Sequence, residues 1–114
     1  MAVDNLQVLD VIEVMEAFLE RKRPPVHIRP KLDLGYKIEG QSIIIHEIRP
    51  VWNDSSKTIY SEVAKASFVK AKNHWKVFWI RGNLKWHAYD PPTVTSLKAF
   101  VTLVEEDKHH CFWG

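Results

Sequence analysis

His74-Trp75-Lys76-Val77-Phe78-Trp79-Ile80-Arg81-Gly82-Asn83-Leu84-Lys85-Trp86-His87-Ala88-Tyr89 decides the fold. Two runs rich in aromatic and β-branched residues flank Gly82-Asn83, a pair suited to a two-residue turn. The pattern predicts strands over His74–Arg81 and Leu84–Tyr89 as an antiparallel hairpin. With that turn, Trp79 faces Trp86, Val77 faces Ala88, and Trp75 shares their side, an apolar and ring-rich surface that reads as core. The other side sets Ile80 opposite Lys85, Phe78 opposite His87 and Lys76 opposite Tyr89, mixing rings with cations.

Upstream, a strand is expected over Val63–Ala71, although Ser61 to Ala66 also suits a helical turn. Asn73 sits in a turn, and Pro50–Lys57 reads as a loop. Leu32, Leu34, Tyr36 and Ile38 alternate with polar residues in Lys31–Glu39, a half-buried strand. Gly40-Gln41 turns it back into Ser42–Arg49. Pro25 to Pro30 is expected to be extended, because residues preceding proline avoid the α region.

The chain opens with an amphipathic helix, about Asn5 to Arg23, in which Val8, Val11, Ile12, Met15, Phe18 and Leu19 share a stripe. Asp4 and Gln7 have capping-box spacing, Arg21 to Arg23 suit the C-terminal end of the dipole, and Pro24-Pro25 stop the helix. Leu6 and Val14 lie off the stripe, which suits contact with more than one neighbour.

Downstream, Pro91 and Pro92 are expected to end the sheet. Thr95 or Ser96 caps a second helix with Leu97, Phe100, Val101 and Val104 on one face. Glu105, Glu106 and Asp107 crowd its C-terminal end, where negative charge is unfavourable; sequence alone offers no account of them beyond solubility. The aromatic tail from His109 to Gly114 is expected to pack back on the domain.

The fold class is therefore α+β in a single domain over residues 1–114. It consists of an antiparallel meander of about five strands, with an N-terminal and a C-terminal helix packed on one face. The other face is left as the functional surface.

At 114 residues the chain is long enough to bury a core without metal or disulfide staples. The formal charge of +2 is too small to argue for nucleic acid by itself. Cys111 is the sole cysteine, which excludes an intramolecular disulfide and points to a reducing compartment. Acidic residues spread through the first 20 positions do not suit a signal peptide, and no apolar run is long enough to span a membrane. A cytoplasmic protein is expected, with no membrane partner.

The basic-aromatic side of the hairpin motivates the leading functional expectation. Bases stack on rings while lysines hold phosphates, so Lys76, Phe78, Lys85, His87 and Tyr89 are the candidate binding residues for nucleic acid or protein. A structural role as a homodimer is the first alternative, with the Trp-rich face and off-stripe helix residues supplying an interface. A metal-dependent nuclease is the second. Asp33 with Glu47-Ile48-Arg49 loosely matches a nuclease pattern of two acids and a cation, but arginine replaces lysine. The turn also points Asp33 away from the other two. Glu47 and Arg49 share the apolar side of Leu34, Tyr36, Ile43 and Ile45, and read as a structural ion pair in a cleft. Six histidines show no zinc-ligand spacing, Cys111 lacks a catalytic setting, and four scattered glycines build no phosphate loop, so no cofactor, metal or catalytic residue is assigned.

Several segments together carry a resemblance. They are Arg23-Pro24-Pro25-Val26-His27-Ile28-Arg29-Pro30, the hairpin residues Leu32 to Tyr36 with Glu47 to Pro50, Trp75 to Trp79 with Lys85-Trp86-His87 and Tyr89, and the closing Cys111-Phe112-Trp113-Gly114. Over nearly its whole length the chain resembles a bacterial family known as domain of unknown function 3024. That resemblance implies a stand-alone, single-domain bacterial protein and carries over no activity and no site residues.

Overall fold

The computed structural model describes residues 5–113, with Asn5 and Leu6 described through their backbone alone. Asp4, the expected helix cap, the side chain of Leu6 and the terminal Gly114 lie outside the described residues. Helix α1 spans Asn5–Lys22 and ends where the Arg23 N–H donates to the Leu19 carbonyl, just before Pro24. Its buried stripe is Val11, Met15, Phe18 and Leu19, while Val8 and Val14 are half-buried and Ile12 reaches solvent.

Among the described residues five strands form one antiparallel sheet in the order β1-β2-β3-β4-β5: β1 Asp33–Glu39, β2 Ser42–Val51, β3 Asp54–Val69, β4 His74–Ile80 and β5 Trp86–Val94. The expected meander with a helix at each end of the chain is the fold observed. Helix α2, Leu97–Glu106, follows β5. Both helices pack on one side, where Leu34, Ile43, Ile45, Ala64, Ala66, Trp75, Val77 and Tyr89 join the helical Phe18, Phe100, Val101 and Val104 in a single core. Burying side chains such as Phe18 and Phe100 contributes about 1.5–3 kcal/mol each.

Several local expectations are corrected. Residues Pro25 to Lys31 are not extended: the Ile28 and Arg29 N–H groups both donate to the Pro25 carbonyl, and those of Lys31 and Leu32 to Ile28, giving consecutive turns. Arg29 Nε closes the segment on the Pro24 carbonyl at 2.9 Å. The expected loop from Pro50 to Lys57 is instead the tip of a long hairpin that turns at Trp52-Asn53, so β3 begins at Asp54. Pro50 pairs with Thr58 and Val51 with Asp54, so Ser55, Ser56 and Lys57 bulge from the pairing near the tip, where Asp54 Oδ1 accepts from the Ser56 N–H and hydroxyl. Pro91 and Pro92 do not end the sheet; β5 runs through them, across a cis Asp90–Pro91 bond, to Val94. They occupy an edge strand, at an interruption in the pairing with β4, where a missing N–H donor costs little.

The largest correction concerns the β4–β5 turn. It contains three residues, Gly82, Asn83 and Leu84, closed by the Arg81 N–H on the Lys85 carbonyl and the Leu84 N–H on the Arg81 carbonyl. Leu84 takes the left-handed conformation at φ 60°, and Asn83 Oδ1 accepts from the Lys85 N–H. One added loop residue slips the register by one and exchanges the faces of the entire return strand. Trp79 therefore pairs with His87, Phe78 with Ala88 and Ile80 with Trp86.

The C-terminal acids find partners. Ser96 caps α2 by accepting from the Ala99 N–H, and Glu105 binds Arg21 of α1 at 2.6 Å. Asp107 is the left-handed C-cap, and its buried carboxylate accepts from the N–H groups of Phe112 and Trp113 at 3.0 and 3.1 Å. That link folds the tail onto the core, as expected. Phe112 stacks on Tyr89 at 4.7 Å, and Trp113 Nε1 donates to the Val104 carbonyl.

Candidate nucleic-acid interface

Alternation places one set of side chains under the helices and leaves the other set on the opposite, uncovered face. That face carries Lys37 from β1, Ile44, His46 and Ile48 from β2, Tyr60, Glu62 and Lys65 from β3, Lys76, Phe78 and Ile80 from β4, and Trp86 from β5. Glu62 and Lys65 share it despite their odd spacing. Ile45 pairs with Ala64 and His46 with Glu62, so Val63 is an extra, bulged residue that resets the alternation.

Two clusters stand out. At the β3–β5 end, the Lys65 ammonium lies 4.9 Å from the centroids of both the Phe78 and the Trp86 rings. Lys76 is exposed beside them, and the β4 sequence His74–Ile80 contains no carboxylate. At the β1–β3 end, Lys37, His46, Tyr60 and Glu62 line a depression of about 480 Å³. Lys37 Nζ lies 3.3 Å from Glu39 and 3.4 Å from Glu62. The His46 ring is buried and meets the Tyr60 ring edge-on at 5.3 Å. Gly35, opposite His46, makes that seat: a Cβ there would stand 2.9 Å from His46 Nε2. Burial, then the charge of Lys37, holds the His46 imidazole below its ordinary pKa, while Glu62 pulls the other way.

Of the residues singled out from sequence, Lys76 and Phe78 lie on the uncovered face, while Lys85, exposed just after the turn and opposite Arg81, is shifted by the slipped register to the side of Arg81 and His87. His87 and Tyr89 are corrected to the covered face by the slipped register. His87 packs against Trp79, and Tyr89 is buried against Phe112, where burial pushes its phenol upward. Trp86, assigned from sequence to the core, takes their place on the open side. The missed signal was the asparagine: Asn83 followed by two residues closes a three-residue loop through its own side chain. Lys65, Tyr60 and Glu62 had no sequence signal, since their common face depends on the Val63 bulge, and Tyr60 and Glu62 lie between the expected loop and the expected strand.

The acid-acid-cation trio does not converge. Asp33 pairs with Ile48 and is gripped by both Nε and Nη2 of Arg23, at 2.8 and 2.7 Å, which holds its carboxyl below the usual range. Glu47 contacts Arg49 at 3.4 Å and borders a small cavity of about 180 Å³ with Leu32, Leu34 and Trp113. Among the described residues no three His, Cys, Asp or Glu side chains are grouped to hold a metal ion, and no helix is long and apolar enough to cross a membrane.

The chain belongs to the family described as Domain of unknown function (DUF3024), which matches residues 3–114. No curated protein and no solved structure matches it.

Proposed function

We propose that this member of the family, a bacterial cytoplasmic protein, binds single-stranded nucleic acid on the uncovered sheet face. The observation that carries the proposal is the pairing of Phe78 and Trp86 on that face with the Lys65 ammonium over both rings. Flat rings accept bases without regard to sequence, and Lys65 and Lys76 on the same face set charge beside them for the backbone. The lysine does not block the rings. An exposed cation–π contact contributes about 0.5–1 kcal/mol, whereas a base stacked on an aromatic ring contributes about 1–3 kcal/mol. Exchange of the ammonium from ring to phosphate is therefore favourable overall, with Lys65 already in place.

Fluorescence anisotropy of labelled ten-nucleotide DNA and RNA, titrated at several salt concentrations, tests this. The expected result is binding whose logarithm falls linearly with log salt, weakened about tenfold by Trp86→Ala or Phe78→Ala. Lys76→Ala is expected to lower the salt slope by about one contact. No binding even at low salt defeats the proposal.

A further inference from the structure

We infer that the depression at the β1–β3 end of the same face is a guanine-selective base position, formed by Tyr60, Glu62 and Lys37. The inference rests on the nucleic-acid reading of the face and adds to it the base that is chosen. Tyr60 is 63% exposed, so a face of its ring is open to a base, while His46 braces the ring edge-on from below. Glu62 lies two residues along the same strand, about 6.6 Å away by strand rise, and projects to the same side. A base stacked on Tyr60 thus turns its hydrogen-bonding edge toward Glu62.

The Lys37–Glu62 pair presents a cation beside a carboxylate, held 3.4 Å apart. Guanine alone among the four bases offers two adjacent donors, N1–H and the N2 amine, next to an acceptor, O6. A carboxylate takes both donors at once, and the neighbouring ammonium meets O6. Thymine and uracil offer one donor flanked by two acceptors, which repel the carboxylate. Adenine and cytosine offer one amine beside an unprotonated ring nitrogen, which does the same. At the opposite end of the face the group over the Phe78 and Trp86 rings is the Lys65 ammonium, a partner for phosphate, so stacking there is indifferent to base identity. The Val63 bulge is what aligns the two: without it, Glu62 and Lys65 would point to opposite sides of the sheet.

The test compares three labelled ten-nucleotide DNAs on the full chain: all thymidine, the same with two central guanines, and the same with two central inosines. Inosine lacks only the N2 amine, so the comparison needs no change to the protein. The guanine strand is expected to bind about tenfold more tightly than all-thymidine, within the range of a bidentate base contact, with inosine in between. Glu62→Gln is expected to erase the preference while all-thymidine binding persists. Equal affinity for the three strands, or a guanine preference that survives Glu62→Gln, overturns the base assignment and leaves the binding face standing. Failure of every strand to bind overturns both, and directs attention to a protein partner for the face.

Discussion

Two hairpins frame the uncovered face, and they are built on different turns. The β1–β2 hairpin closes through Gly40-Gln41, with Gly40 in the left-handed region at φ 62°. The β4–β5 hairpin closes through Gly82-Asn83-Leu84, with Leu84 in that region at φ 60°. In the first, the residue that needs conformational freedom is a glycine and the register follows from its position. In the second, the glycine lies elsewhere and a leucine, 80% exposed, carries the left-handed backbone. The difference teaches that a turn is defined by which residue turns left, not by which residue is best suited to do so. One misplaced residue here moves Trp86 from the core to the open face and Tyr89 from the open face to the core.

The sharpest way to break that comparison is to truncate the two residues that exchange places. Tyr89→Ala is expected to cost about 3 kcal/mol, as for a large buried ring in a closed core. Trp86→Ala is expected to cost about 1 kcal/mol, the worth of an exposed ring–cation contact. Urea unfolding midpoints decide between them, and the reverse order would restore the two-residue turn. Next in size is Asp107→Ala, expected to cost about 2 kcal/mol because it strips acceptors from the Phe112 and Trp113 N–H groups. Phe112 stacks on Tyr89 of β5 and Trp113 is tied to the Val104 carbonyl of α2, so loss of near-ultraviolet ellipticity from the two rings should accompany the lost stability.

What the sequence made legible follows the same division. The two helices, the strands of the first and last hairpins and the two-layer arrangement were readable, because period-3.6 and period-2 apolar patterns are strong in Val11 to Leu19, Leu34 to Ile45 and Leu97 to Val104, whereas the Pro25–Pro30 and Pro50–Lys57 segments carry no such pattern and were misread. Faces were readable only as far as the registers were. The β1–β2 register came out as expected, with Asp33 opposite Ile48 and Tyr36 opposite Ile45. The β2–β3 and β4–β5 registers depend on a bulge at Val63 and a loop one residue longer, and neither has a periodic signature. The candidate site suffered most, since every one of its members is defined by the side of the sheet on which it emerges. The acids at the end of α2 were opaque for another reason: their partners Arg21, Phe112 and Trp113 are brought to them by tertiary packing.

Exchanging the two turn residues tests the comparison more gently. Gly40→Ala puts a side chain on a left-handed backbone, at about 1–2 kcal/mol, partly offset by the smaller entropy of the unfolded chain. A net loss of about 1 kcal/mol is expected. Leu84→Gly does the opposite: strain of about 1–2 kcal/mol is relieved, against about 0.5–1 kcal/mol of added chain entropy. The net gain expected is about 0.5 kcal/mol, read as a rise in thermal midpoint. A loss there would place Leu84 in a contact worth more than its strain.

The smallest effect expected is in the β1–β2 hairpin and concerns pH. His46 is buried opposite Gly35, facing Lys37 of β1 and Tyr60 and Glu62 of β3. Its folded pKa lies below the ordinary value through burial and the Lys37 charge, with Glu62 opposing. Above the unfolded value, about 6.5, the imidazole is neutral in both states and its contribution is fully present. As pH falls below that value the unfolded chain takes up a proton that the folded chain resists, so stability declines until the folded pKa is passed. The Asp33 carboxyl, also depressed, loses its contribution only at more acid pH, below about 4. The two effects therefore separate. Unfolding midpoints at pH 7.5 and 5.5 should fall for the native chain and stay level for His46→Gln. Lys37→Met should shrink the decline and Glu62→Gln should deepen it, because those two charges push the imidazole in opposite directions. Equal declines in the native chain and His46→Gln would mean that the Gly35 seat admits enough water to solvate the imidazolium, and the hairpin with the well-behaved turn would then be the looser of the two.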